Sequence, residues 1–167
     1  MIKEKFMKKI LLTVCVCLTA VFTANAQPFT WAEVVNLFSQ GVEEGGEAME
    51  KQFADMGIGM NINTAYDKAT KTYEVILYFK DPSIVEGITQ QILESGKASF
   101  IIGFMQTTIN ESGKETLIEI MKAMEREHGK IKVVYSTRSN GKTLNKEAII
   151  TADDMRSIAA RQFGISY

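Results

Sequence analysis

His128 is the only histidine in the 167 residues, and therefore the only side chain whose unperturbed charge changes near neutral pH. Glu125 stands three residues before it, on the same face if the segment is helical. A proton relay or one edge of a metal site is the chemistry that such a pair suggests. Neither idea completes. A zinc centre takes three or four protein ligands, and a Ser-His-Asp hydrolase built on His128 would want a Gly-x-Ser-x-Gly elbow, which the chain lacks. A cationic imidazole near a helix C-terminus is stabilising in its own right, and that is how His128 reads. Asp153 and Asp154 form the other notable pair. Adjacent helical residues point in different directions, whereas glycosidase carboxylates flank a substrate from opposed sides, so a helix-start role is expected for them.

Phosphate loops and dinucleotide fingerprints place glycines between a strand and a helix. Gly41, Gly45 and Gly46 instead fall within an apolar-striped helical segment. No catalytic residue, cofactor or metal is assigned on this reading, and the chain is not read as an enzyme; a hydrolase is the weakest of the readings.

The elements that must position any site begin after a leader. Lys3, Lys5, Lys8 and Lys9 precede an apolar run from Ile10 to Phe22, and Ala24-Asn25-Ala26 supplies small residues for cleavage. This is the pattern of an export signal cut after Ala26. The run falls well short of the roughly 20 residues that cross a bilayer core, so no integral membrane segment is expected after cleavage. The expected product, residues 27–167, is a single globular domain, periplasmic or secreted. Both cysteines, Cys15 and Cys17, lie in the leader, so that product has no disulfide to staple it and no thiol chemistry. Removing four lysines and one glutamate from 19 basic and 20 acidic residues leaves 15 and 19, a net charge of about -4. A nucleic-acid partner is not expected of such a chain.

Thr30-Trp31-Ala32-Glu33 is a capping box. After it Trp31, Val34, Val35, Phe38, Val42, Met49, Phe53 and Met56 form one helical stripe, with Glu43, Glu44, Glu47 and Glu50 opposite. Gly45-Gly46 is expected to break or kink this helix. Beyond Gly59 the period becomes two: Met60, Ile62, Thr64 and Tyr66, then Tyr73, Val75, Leu77 and Phe79, describe a hairpin turning over 67–71. Asp81-Pro82 starts a helix bearing Ile84, Val85, Ile88, Ile92 and Leu93. Ser95-Gly96-Lys97 interrupts it, and 98–109 reads as helix by context, a strand being the alternative. Ser112-Gly113-Lys114-Glu115 is a second capping box, opening a helix that ends near His128-Gly129.

Asn140-Gly141 marks a tight two-residue hairpin turn. Pairing about it sets Ile131 opposite Ile150, Val133 opposite Ala148, Tyr135 opposite Lys146 and Thr137 opposite Leu144. Thr151 caps a closing helix. The sum is an α+β two-layer domain, an antiparallel sheet of about four strands in two hairpins with helices packed on one face. Its order suggests a possible internal duplication of a helix-hairpin-helix unit.

Two functions fit such a chain. The first is an exported non-catalytic domain that binds a protein or envelope partner, either through Ile76 and Tyr78 on the uncovered sheet face or through the Phe100–Ile109 region. The second is a carrier of a small apolar ligand in a cavity lined by Phe100, Phe104, Met105, Met121 and Met124.

Overall fold

The computed structural model describes residues 29–167, and the leader expected at 1–26 lies outside them. The first helix, α1 (Trp31–Asp55), starts at its capping box. Glu33 N donates to Thr30 Oγ1 at 3.2 Å and Thr30 N to Glu33 Oε2 at 3.0 Å. It runs through Gly45-Gly46 unbroken, against expectation. A Cβ at Gly46 would meet only Val42 Cγ1, at 3.8 Å, so no neighbouring backbone demands glycine there. The stripe is buried on both sides of the pair, and burying each such side chain contributes about 1.5–3 kcal/mol. That outweighs the helical cost of the glycines, about 1 kcal/mol each.

Strands β1 (Met60–Asp67) and β2 (Thr72–Phe79) form the first hairpin, β3 (Lys130–Ser139) and β4 (Lys142–Ile150) the second. They make one four-stranded sheet in the order β1-β2-β3-β4. Both hairpins are antiparallel, and the register of the second is the expected one at all four pairs. Asn140 and Gly141 take the positive φ values, 53° and 76°, that the two-residue turn requires. The central pair, β2 with β3, is parallel, so the sheet is mixed, antiparallel in two of its three pairings. A parallel neighbour needs a long crossover, and the helices between β2 and β3 provide it.

Those helices are α2 (Pro82–Glu86), α3 (Gln90–Ser112) and α4 (Lys114–Arg126), with α5 (Ala152–Phe163) closing the chain. Three boundaries depart from the sequence reading. The apolar series Ile84 to Leu93 is split, since α2 stops at Gly87 and Thr89 caps a new helix by accepting from Ile92 N at 3.2 Å. Ser95-Gly96-Lys97 does not interrupt α3, and 98–109 is helix. The segment shows no polar face because α3 is packed by α4 and α5 on one side and β4 on another, while Phe104 meets Phe38 of α1. Ser112 is the last residue of α3 rather than a cap; Gly113, at φ 92°, turns the chain and begins α4 without a side-chain bond.

The core lies between the sheet and the helices. Tyr73, Val75, Leu77 and Phe79 of β2, Ile131, Val133 and Tyr135 of β3, and Ile150 of β4 are buried on the helix side with Phe38, Phe53, Phe100, Ile101 and Met105. The two hairpins are not symmetry mates. Seen from the helix layer with its first strand pointing up, one turns right and the other left, as the parallel central pair dictates. No rotation that keeps the helices on one face superimposes them, so the repeated order of elements is not a repeated body.

Candidate functional site

His128 sits where α4 ends, and it takes the left-handed conformation itself, with φ 56°. Its N–H donates to Glu125 O at 3.3 Å and that of Gly129 to Met124 O at 2.8 Å, the paired bonds of a Schellman terminus. Gly129 is needed for another reason. A Cβ there would lie 2.4 Å from the Trp31 indole. Trp31 is fully buried on that glycine, donating Nε1 to Lys71 O at 2.9 Å and its backbone N–H to the Glu127 carboxylate. This corner joins the start of α1, the first hairpin turn and the end of α4.

A cleft of about 320 Å³ opens beside His128, lined by Glu125, Lys130, Thr151 and Asp153 among others. Asp154 faces a different cleft, with Lys97 and Arg161, so the two aspartates are parted as helical neighbours should be. Burial pushes the Asp154 carboxyl up, but hydrogen bonds from Lys97 and Thr151 outweigh it and hold the group below the usual carboxylate range. It accepts the Thr151 N–H at 2.9 Å, completing the capping box of α5, and pairs with Lys97 Nζ at 2.9 Å. Among the described residues no group of three or more His, Cys, Asp or Glu could hold a metal ion.

Phe100, Phe104 and Met105 are buried, at most 1% exposed, and Phe104 packs edge-on against Phe38 with centroids 5.6 Å apart. They fill the interior and present nothing outward. Ile76 and Tyr78 do the opposite: alternating with buried Val75, Leu77 and Phe79, they stand half-buried on the side of β2 away from the helices. The registers extend that face across the sheet. Asn61, Tyr78, Ser136 and Asn145 form one cross-strand row, and Asn63, Ile76, Val134 and Glu147 the next. In the third row Lys132 bridges Glu74 at 3.1 Å and Glu147 at 3.5 Å, and these carboxylates, Glu74 first, raise the lysine above its ordinary value.

No family model, curated protein or solved structure matches the chain. Kinship therefore assigns none of these residues a role, and geometry has to distinguish the sheet's face from its edges. The edges are occupied. On β1, Glu50 accepts the Ile62 N–H at 2.8 Å. On β4, Lys146, opposite Tyr135, turns its ammonium to the carbonyls of Glu86 at 3.1 Å and Ile88 at 2.6 Å. An inward-pointing charge on an edge strand discourages pairing with another strand. The face is open at β1, β2 and β4 but closed in on β3, where Val134 and Ser136 are buried; among the described residues the side chains of Asn61, Asn63, Asn145 and Tyr78 make no hydrogen bond.

Sequence reasoning reached Ile76 and Tyr78 but missed Asn61, Asn63, Ser136 and Asn145. Their signal was the alternate positions of four strands. Gathering them into rows requires the β2–β3 register, which no local pattern encodes.

Proposed function

We propose that this chain is an exported, non-catalytic domain that binds a protein or cell-envelope partner through the outward face of its sheet. One observation carries the reading: Ile76 and Tyr78 stand half-buried on a face that no described helix covers, and the exposed side chains of Asn61, Asn63 and Asn145 on the same face make no hydrogen bond among the described residues. Interfaces combine an apolar centre with a polar rim in this way. No helix of the described residues is long and apolar enough to cross a membrane, and a leader of the pattern at 1–26 would deliver such a domain outside the cytoplasm.

Photo-cross-linkers placed at Ile76 and, as a control, at the exposed Glu47 of α1 test the reading in living cells. Discrete adducts from position 76 that position 47 does not give are expected. Equal adducts from both, or none from 76, overturn the face as a docking site. Mass spectrometry of the native protein is expected to find Gln27 at its N-terminus, and a chain still starting at Met1 overturns export by cleavage.

A further inference from the structure

We infer that Asn140 is a modification site, at which the side-chain amide is lost to the backbone of Gly141, and that the folded turn protects it. Of the seven asparagines only Asn140 is followed by glycine, the residue whose missing Cβ lets its nitrogen come close to a neighbouring side chain. The reaction is a ring closure. The Gly141 nitrogen attacks Asn140 Cγ and gives up its proton; as the new C–N bond forms, the bond from Cγ to the side-chain nitrogen breaks and ammonia leaves. Water then opens the cyclic imide at either carbonyl. One opening gives aspartate, the other isoaspartate, in which the main chain runs through Cβ.

Water reaches the tip of the second hairpin freely: Asn140 and Gly141 are exposed, and a Cβ at Gly141 would meet nothing within 4 Å. Conformation is what guards the site. With φ 53° and 76° the pair forms the mirror image of a type I turn, whose first central residue has ψ of about +30°. Ring closure needs the Gly141 nitrogen to eclipse Cβ, at ψ of about −120°, the value that a type II′ turn reserves for glycine at that position. The folded turn therefore points the nucleophile away from Cγ. Arg138 holds it there by donating to Gly141 O at 3.1 Å, and the pairing of β3 with β4 fixes both arms. Only a molecule whose hairpin has opened reacts. The two products then part ways. Aspartate is accepted before glycine in the same turn, whereas isoaspartate adds an atom to the backbone and spoils the register that keeps Ile131, Val133 and Ile150 in the core.

The test incubates the purified protein at mildly alkaline pH, one portion in buffer and one in guanidinium chloride. Glutamate-specific digestion after Glu127 and Glu147 releases a peptide that holds both Asn140 and Asn145, so mass spectrometry reads the reacting residue against an internal control. Deamidation at Asn140 is expected to run at least about tenfold faster in the denaturant than in the fold, with Asn145 slow in both. Equal rates at Asn140 in the two portions overturn the protection, and no loss there in denaturant overturns the site. Once the denaturant is removed, isoaspartate, counted by enzymatic methylation, should concentrate in the chains that fail to refold, while Asn140→Asp should refold and melt like the parent. Isoaspartate spread evenly between refolded and misfolded chains, or an Asn140→Asp protein that melts well below the parent, overturns the contrast between the two products.

Discussion

The two faces of the same four strands are built to opposite rules. On the helix side, Tyr73, Val75, Leu77 and Phe79 are completely buried and meet aromatic and aliphatic side chains from α1 and α3. On the other, Glu74, Ile76 and Tyr78 are half-exposed, and their cross-strand neighbours on β1 include two asparagines, Asn61 and Asn63, whose side chains make no hydrogen bond among the described residues. Folding free energy is collected mainly on the helix face, because a strand sends alternate side chains to opposite sides, although Val134 and Ser136 of β3 are buried on the outward one. The other face is left to be chosen for something else. A residue number that changes by one thus moves from the closed core to the outward face.

Leu77 and Tyr78 break that comparison most directly. Leu77→Ala removes a side chain from a closed core and is expected to cost about 3 kcal/mol, within the usual range of 2–5 for such truncations. Tyr78→Ala, one position on, should change stability by less than about 1 kcal/mol. Urea denaturation of the two variants decides the matter. Similar losses from both would mean that the outward face is structural, and its role in binding would fall with that result.

The next largest effect sharpens the contrast on the buried side. Gly129 has no room for a side chain, since its Cβ would overlap the Trp31 indole. Gly129→Ala forces the ring outward, and such overpacking costs about 1–3 kcal/mol. Trp31 is the only tryptophan of the chain, so its fluorescence reports the displacement: a red-shifted emission and a lower Tm are expected. An unshifted spectrum with unchanged Tm would show that the corner tolerates the methyl group and that the joint between α1 and α4 is looser than the contact implies.

The parts of this architecture legible from sequence were those set by neighbours along the chain. Thr30 and Thr151 announced their helices because capping is settled within four residues, and Asn140-Gly141 fixed a nine-pair register because the turn conformation leaves no other. Ile76 and Tyr78 were found by counting twos. What could not be read was what distant segments do to one another. The parallel β2–β3 pairing, and with it the Asn61–Asn145 row, depends on a crossover of some fifty residues folding back. The unbroken α1 across Gly45-Gly46 depends on burial at both ends overriding a local preference. The Ser112-x-x-Glu115 pattern misled because Gly113, and not Ser112, ends up at the helix start. At Gly129 the local pattern located the helix end but could not show why glycine stands there: the left-handed residue is His128, and the glycine makes way for a tryptophan nearly a hundred positions earlier.

The smallest effect compares ion pairs on the two sides of the sheet. Asp154, in the helix layer, is half-buried, bonded to Thr151 and paired with Lys97, and its carboxyl is held below the ordinary value of about 3.9. A carboxylate depressed in the folded state stabilises it fully above the unfolded pKa and loses that contribution as the pH falls through the lower, folded one. Asp154→Asn should therefore lower the urea midpoint at pH 6, and the gap to the parent protein should close as the pH drops from about 4. Glu74→Gln, which breaks the pair with Lys132, should give a smaller gap at pH 6, because Lys132 keeps Glu147 at 3.5 Å as a second partner. If Glu74→Gln proves the costlier change, the outward face contributes to holding the fold, and the division of labour between the two faces fails.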